Sequence, residues 1–335
     1  VTDGANAPSS GPLRILLSAK AKSALAARVA AVMRGRPFEL LAFEDDDDGA
    51  DVAYVSRDVT GLSTKHELTE STRQAHDLLR RSPRLAWVQT HSAGVDRPIF
   101  IELRQRGVIV TSSSGSTASV VAQSALAGLL SLARHFPQLM AAQRERRWAP
   151  LIGGPMPRDL GGQTATIVGW GPVGQQIGGV LQMLGLSLIV VRQGDDAAGP
   201  GIETLRFDQW RSALPHTDWL VLACPLSDAT RGLVDAHALA LLRPGARLIN
   251  VARGEVVVEA ALIAALQSDH LSGAYLDVFE HEPLAADSPL WSLPNVIATP
   301  HSAGHSDGNQ ARVDAFFLDN LQRWRDAKPL INVAP

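Results

Sequence analysis

The chain has 335 residues, 45% of them hydrophobic, which is enough for two domains with cores of ordinary size. A formal net charge of −3 gives no global basic field, so nucleic acid and membrane surfaces are set aside and a small molecule is the expected partner. The single cysteine, Cys224, excludes an internal disulfide framework and fits a reducing, cytoplasmic setting.

Residues Val1 to Pro12 are rich in Ser, Gly, Ala and Pro without an apolar core, and read as a flexible tail rather than a signal peptide. From Leu13 onward strand-like and helix-like segments alternate. Strands are expected at Leu13–Leu17, Phe38–Phe43, Asp51–Val55, Ala86–Thr90 and Val108–Val110, with helices at Ala21–Met33, Thr72–Arg81 and Pro98–Arg106. Such alternation predicts a parallel α/β sheet. The acidic run Asp45–Asp48 lies between two of these elements, and without ligands at a recognisable spacing it reads as a solvated loop, so no metal is expected. The small-residue turn His91–Asp96 follows a strand, at the end where parallel sheets bind ligands, and its backbone N–H groups can hold a carboxylate. A second polar turn, Ser112–Thr117, feeds the apolar stretch Ala118–Ala133. That stretch is interrupted by Ser119, Gln123, Ser124, Gly128 and Ser131 and is short for a membrane span, so a buried helix connecting two domains is expected. Arg144–Trp148 and the Pro/Gly-rich passage Pro150–Gly162 lead out of it.

Residues Thr164 to Arg192, TATIVGWGPVGQQIGGVLQMLGLSLIVVR, read as strand, glycine turn, helix, strand. Ala165–Val168 is an apolar run suited to a buried parallel strand, and Leu186–Val191 is the returning one. Between them Gly169, Gly171 and Gly174 stand at G-x-G-x-x-G spacing, with Pro172 and Val173 inside the motif. The first glycine permits the tight turn, the second lets the backbone approach a pyrophosphate, and the third lets the helix pack on the strand. Helix N–H groups and dipole then make an anion site, so a dinucleotide is expected. Units that take NAD place an Asp or Glu about 20 residues on, where it accepts the ribose 2′-hydroxyl and repels a 2′-phosphate. Here the residue is Arg192, followed by Gln193 and Gly194, which favours NADP; if Arg192 is merely solvated, NAD is also possible.

Strands follow at Trp219–Ala223, Arg247–Val251, Ala274–Val278 and Val296–Ala298. Their carboxyl ends carry Cys224, Pro225 and Leu226; then Asn250 to Gly254; then Asp277 to Pro283; then Thr299, Pro300 and His301. Open α/β sheets bind ligands at these ends, so the turns should converge on one crevice holding an Arg, an acid and a His.

In this order and spacing, GWGPVG, CPLSDATRGLV, LINVARGEVVVEAAL, LDVFEHEPL and NVIATPHSAG, with SAGVD in the front half, resemble the D-isomer-specific 2-hydroxyacid dehydrogenase family over nearly the whole chain. The resemblance implies two Rossmann-like or flavodoxin-like parallel-sheet α/β domains, the coenzyme domain inserted into the substrate domain. Carried over, the substrate domain is residues 1–111 plus 303–335 and the dinucleotide-binding domain 112–302. Val313, Phe316, Phe317, Leu321 and Trp324 have the spacing of a closing helix that packs on the first lobe.

By the same resemblance the catalytic residues are Arg253, Glu282 and His301. The guanidinium fork of Arg253 suits the carboxylate and carbonyl oxygen of a 2-keto acid. His301 donates a proton to the carbonyl oxygen as hydride arrives, and Glu282 beside it keeps the imidazolium populated near neutral pH. Ala93 and Gly94 match the backbone that holds the substrate carboxylate, Asp277 the contact to the nicotinamide carboxamide, and Cys224, Pro225 and Ala252 the neighbouring cofactor wall. A plainer role for Asp277 is capping the turn that follows its strand. Gln123 departs from the Glu usual at its position. The implied function is an NADP-linked reductase of small 2-keto acids such as glyoxylate or hydroxypyruvate; an NAD-linked relative with another substrate and a nucleotide-sensing corepressor-like protein are the alternatives. The resemblance also implies a homodimer, with Ala118–Ala133 at the interface and Trp148 near the partner's substrate pocket.

Overall fold

The structure is a computed structural model that describes residues 11–334 apart from 65, 153 and 155, so the tail expected at Val1–Pro12 lies outside the described residues up to residue 10. The chain divides into two compact units, Val1–Thr117 with Ser306–Pro335, and Ala118–His305. The crossings fall a few residues after the positions 111/112 and 302/303 that the family pattern implies. Among the described residues no helix is long and apolar enough to cross a membrane, and no group of His, Cys, Asp or Glu is arranged to hold a metal ion.

The first unit begins with β1 (Leu13–Leu17), α1 (Ala19–Met33), β2 (Phe38–Ala42), β3 (Val52–Val55), the single turn α2 (Arg57–Thr60), α3 (Glu70–Arg81), β4 (Trp87–Thr90), α4 (Pro98–Gln105) and β5 (Ile109–Thr111). The strands form one parallel sheet in the order β2-β1-β3-β4-β5, reversing direction of growth between β1 and β3. Helix boundaries follow local chemistry. Ser18 accepts the Ala21 N–H and starts α1, Thr69 caps α3, and Pro98 opens α4, where its missing N–H costs nothing. Ala21, Leu25, Val29 and Met33, four residues apart, make the buried face of α1. The acidic run is tied to arginine and lysine: Asp47 lies 2.5 Å from Arg14, Asp46 pairs with Arg81, and Asp45 is 3.6 Å from Lys22.

The second unit runs α5 (Ala118–Ala133), α6 (Phe136–Arg144), β6 (Thr164–Val168), α7 (Pro172–Met183), β7 (Ser187–Val191), β8 (Glu203–Leu205), β9 (Trp219–Leu222), α8 (Ala236–Leu241), β10 (Ala246–Asn250), α9 (Glu259–Gln267), β11 (Leu271–Leu276) and β12 (Val296–Ala298). All seven strands are parallel, in the order β12-β11-β10-β9-β6-β7-β8. This is the doubly wound arrangement, with its order reversing between β6 and β9. Trp219 and Val221 face a core with α5 and α7, while Leu220 and Leu222 face one with α8 and α9. Burial on both faces explains why the central strand β9 (WLVL) and most of β7 (LIVV) are apolar without alternation. The helix α5, expected as a connection, is packed inside this unit: a Cβ on Gly128 would lie 2.3 Å from the Tyr275 ring, so glycine there permits close approach.

The chain ends in α10 (Asn309–Arg325), which belongs to the first unit. Val313, Phe317 and Leu321 are buried on it against Ile15, Leu17 and Trp87. Phe317 stacks on Tyr54 at 4.5 Å between ring centres, and the Tyr54 hydroxyl donates to Asp314 at 2.8 Å.

Candidate active site

The glycine turn sits where the second sheet reverses. Gly169 adopts φ +100°, and a Cβ there would stand 2.6 Å from the backbone nitrogen of Cys224 at the end of β9. Only glycine meets both demands. A Cβ on Gly174 would come 2.1 Å from the Gly169 carbonyl oxygen, so this glycine lets α7 begin against the turn. Gly171 differs. It is exposed, with φ −77°, and a Cβ on it would meet no atom within 4 Å. Nothing in the protein's own packing requires glycine at this position, and its open space lies at the N-terminus of α7, where free N–H groups and the helix dipole favour an anion. Pro172 starts that helix, and Val173 packs on the core beneath it. The intervening Trp170 donates its indole N–H to the Ala198 carbonyl at 3.1 Å, tying the turn to the loop after β7.

Arg192 begins that loop, its N–H bound to Leu205 O at 3.0 Å. The guanidinium lies 3.8 Å from the Asp196 carboxylate and 3.5 Å from the Asp196 carbonyl. With the Asp196 side chain 90% exposed, this is a weak surface pair. It leaves the guanidinium able to exchange Asp196 for a doubly charged phosphate.

Arg253 follows β10 in a turn held by Asn250. The Asn250 side chain accepts the Ala252 N–H at 3.0 Å and donates to the Arg253 carbonyl at 3.1 Å. The Arg253 guanidinium in turn donates to the Ala252 carbonyl at 2.7 Å. Next in sequence, Gly254 touches the turn that carries Glu282, since a Cβ there would lie 1.8 Å from the carbonyl carbon of Phe279. Cys224 is buried, and burial pushes its thiol up to about 12 although the Arg253 charge opposes the shift. It lines the site as a neutral thiol, and the Pro225 carbonyl beside it accepts the Thr230 hydroxyl at 2.7 Å.

The acid and the histidine meet directly. His301 Nδ1 lies 2.7 Å from Glu282 Oε2, with the Glu282 side chain 14% exposed and the ring 51%. Burial pushes the Glu282 carboxyl up, but the hydrogen bond and charge of His301, the Phe279 N–H and the Arg253 charge outweigh it, and the group is held below the usual carboxylate range. A carboxylate only accepts, so Nδ1 carries a hydrogen and Nε2 is the position left for substrate chemistry. His301 adopts φ +49°, a left-handed conformation uncommon outside glycine. Its N–H donates to the Asp277 carbonyl at 2.8 Å, and the buried Asp277 carboxylate accepts from the Thr299 hydroxyl at 2.7 Å, Ser302 N–H at 2.8 Å and Ala303 N–H at 3.0 Å. Asp277 therefore caps the turn that presents His301.

Arg253, Glu282, His301, Asp277, Ala252 and Cys224 thus gather at the carboxyl ends of one sheet in the second unit, along with the glycine turn. Ala93 and Gly94 belong to the first unit, after β4, where Ser92 Oγ donates to the Gly94 carbonyl at 2.7 Å. Asn250, Thr299 and Trp170 have supporting roles that motif reading did not assign. Each acts through a contact with a residue distant in sequence or through its neighbours' backbone, and residue type alone carries no signal for that.

A model of the D-isomer specific 2-hydroxyacid dehydrogenase NAD-binding domain matches residues 126–303. Among similar proteins, (S)-sulfolactate dehydrogenase of Chromohalobacter salexigens is 36% identical over 259 residues, covering 75% of this chain and 81% of that protein. Glyoxylate/hydroxypyruvate reductase B of Klebsiella pneumoniae is 33% identical, covering 73% and 76%. D-3-phosphoglycerate dehydrogenase of Bacillus subtilis is 31% identical over 78% of this chain, which spans only 49% of that longer protein. Two solved structures cover nearly the whole chain. A D-isomer specific 2-hydroxyacid dehydrogenase of Xanthobacter autotrophicus Py2, in complex with NADPH and MES, superposes with a TM-score of 0.76 at 29% identity, covering 97% of this chain and 98% of that one. An NADPH-dependent glyoxylate/hydroxypyruvate reductase of Sinorhizobium meliloti, in complex with NADP and malonate, gives 0.73 at 28% identity, covering 97% of each.

Proposed function

The chain belongs to the D-isomer-specific 2-hydroxyacid dehydrogenase family of NAD(P)-dependent oxidoreductases, and from that premise we propose that it reduces a small 2-keto acid, glyoxylate or hydroxypyruvate, at the expense of NADPH. The observation that carries the reading is the 2.7 Å His301–Glu282 pair beside Arg253, on the same sheet edge as the glycine turn. The second unit is the coenzyme domain and the first the substrate domain. Gly169, Gly171, Pro172, Val173 and Gly174 cradle the diphosphate, Arg192 takes the 2′-phosphate, and Cys224, Pro225, Ala252 and Asp277 line the nicotinamide end.

Bound there, the cofactor supplies the hydride. Arg253 binds the substrate carboxylate and carbonyl oxygen through its fork and fixes the face that is reduced, while Ala93 and Gly94 hold the carboxylate by backbone N–H groups. His301 gives its Nε2 proton to the carbonyl oxygen, and Glu282 accepts the Nδ1–H throughout, holding ring and tautomer. Oxidation reverses each transfer.

Use of NADPH is supported by Arg192 and by the two structural relatives solved with NADPH or NADP. A second reading is an NAD-linked dehydrogenase of another substrate; the 36% identical sulfolactate dehydrogenase favours, for that substrate, a larger acid with a second anionic group. A homodimer is part of the proposal, and it is supported by the exposure of Phe136, Met140, Trp148 (94%), Ile152 and Met156 between α5 and β6, since exposed apolar side chains gathered in one patch serve as contact surfaces. The test is a kinetic screen of NADPH and NADH against glyoxylate, hydroxypyruvate, pyruvate and sulfopyruvate. Turnover of hydroxypyruvate or glyoxylate with NADPH supports the first reading, sulfopyruvate with NADH the second, and no turnover of any pair overturns both.

A further inference from the structure

We infer that Glu259 and Glu280 form a reciprocal clamp that positions Glu282, and through it His301, for proton transfer; the inference rests on the catalytic reading above. Glu259 is the first residue of α9, and its N–H lies 3.3 Å from Glu280 Oε2. The Glu280 N–H lies 3.2 Å from Glu259 Oε2. Each carboxylate thus accepts the backbone donor of the other residue. The N-cap, Val258, offers no side-chain bond, so the carboxylate of Glu280 supplies the capping of α9 from outside the helix.

The consequence falls on the segment Phe279–Glu282, which is fixed at successive points. At Phe279 the backbone rests against Gly254, adjacent to Arg253. The Phe279 N–H donates to Glu282 Oε1 at 3.2 Å. At Glu280 the clamp ties the chain to α9, two residues before the carboxylate that meets His301. Glu259 thereby links a helix end to the acid–histidine pair without touching it.

The arrangement is not explained by energy alone. Two carboxylates facing each other repel, and burial together with the charge of Glu280 raises Glu259 above the usual range, against the Glu280 N–H and the charge of nearby His281. A like-charged pair is a poor way to stabilise a fold. Its two backbone bonds do fix direction, which a residue acting through Glu282 requires.

Glu259→Ala removes one acceptor and frees the segment to shift. Displacements of about 1 Å from reacting geometry cost up to roughly a hundredfold, so kcat should fall about tenfold. The KM for NADPH should be unchanged, because the glycine turn lies elsewhere on the sheet. Glu259→Gln keeps an acceptor oxygen and should restore kcat to near the wild-type value. In a Glu282→Ala background, Glu259→Ala should change kcat very little, since the group it positions is gone. Multiplicative losses in the double variant, a Gln variant as impaired as the Ala variant, or a Glu259→Ala enzyme with lowered Tm and wild-type kcat would each overturn the clamp. If Glu259→Ala does not fold, Glu280→Ala, which leaves the Glu259 acceptor in place, is compared with Glu282→Ala in the same way. His301→Asn run alongside separates the two levels. If it is inactive while Glu259→Ala is unimpaired, the clamp alone fails; if it retains full activity, the catalytic reading fails and the clamp with it.

Discussion

Gly171 and Gly174 stand three residues apart in one motif, yet alanine should do opposite things at the two positions. On Gly174 the new Cβ lands 2.1 Å from the Gly169 carbonyl oxygen, against an ordinary separation of roughly 3.5 Å. The N-terminus of α7 would have to withdraw by more than an ångström from the end of β6, and both are backbone, so neither yields cheaply. Overpacking of this kind costs about 1–3 kcal/mol or more. For a domain the size of the second unit that is a fall in Tm of about 2–12 °C. On Gly171 the Cβ meets no atom within 4 Å and φ is −77°, so the fold should hardly register it. Loss of glycine at the N-cap costs a few tenths to about 1 kcal/mol, and the stiffer unfolded chain offsets a similar amount. The methyl group instead occupies the space a diphosphate needs. A cost of about 1–3 kcal/mol there weakens NADPH roughly 5- to 150-fold. The assay is paired: thermal unfolding of each variant, and NADPH titration by fluorescence. Wild-type NADPH affinity in Gly171→Ala, or destabilisation equal to that of Gly174→Ala, would refute the assignment of the phosphate site.

Arg192→Asp should weaken NADPH far more than NADH, by roughly ten- to over a hundredfold for a charge-assisted contact, and steady-state kinetics showing a wild-type preference for NADH would contradict it. Arg253→Ala should raise KM and lower kcat together, whereas His301→Asn should act mainly on kcat, by about 10²- to 10⁴-fold; equal effects on both parameters in both variants would reject the division of roles. Sedimentation at micromolar concentration should give a dimer, and Trp148→Glu should shift it toward monomer; a monomeric wild-type protein rules the interface out. His76 on α3 is 4% exposed, its Nε2 without a hydrogen-bond partner among the described residues, and burial, with the charges of Arg97 and Arg80, pushes it down to about 4. The unfolded chain takes up that proton near pH 6.5 and the folded one does not. Stability is therefore full above about pH 6.5 and falls by about 3 kcal/mol as pH drops to 4, and urea unfolding of His76→Leu should lack that part of the slope.

Most of the fold was legible because its strands are buried on both faces. In Leu13–Leu17 every residue but Arg14 is apolar and in Ser187–Val191 every residue but Ser187, and the limits of these runs are set within a residue by the polar turns around them. What escaped reading lies at the edge. Glu203–Leu205 pairs only with β7, remains partly exposed, and has no periodicity over three residues. The 3₁₀ turn Trp210–His216 contains Pro215, and the four-residue helix Arg57–Thr60 is too short to show a face. The strands after Arg192 end at Leu222, Asn250 and Leu276, one or two residues before the expected ends, because Ala223, Val251 and Asp277 already take part in the turns that build the site.

Of the candidate site, the charged residues that the fold brings together were legible, and what holds them was not. Arg253, Glu282 and His301 stand in motifs whose chemistry names them, while Asn250, Gly254 and Glu259 work through approaches that sequence spacing does not reveal. Asp277 lies between the two kinds. Its Oδ1 already receives the Thr299 hydroxyl and the N–H groups of Ser302 and Ala303, while Oδ2 shares only the Ala303 N–H. A carboxylate oxygen with three donors has no room for a fourth of good geometry, so a carboxamide could be met only at Oδ2. The turn, by contrast, depends on Oδ1, because His301 at φ +49° sits in a conformation that surrounding bonds must impose. Asp277→Asn would keep an acceptor oxygen for the turn but turn the other oxygen into a donor. It should therefore spare His301 and alter the nicotinamide end, whereas Asp277→Ala should release the histidine as well. The difference between those two variants, read as kcat with 2-keto acid against affinity for NADPH, separates the support of the catalytic turn from contact with the cofactor.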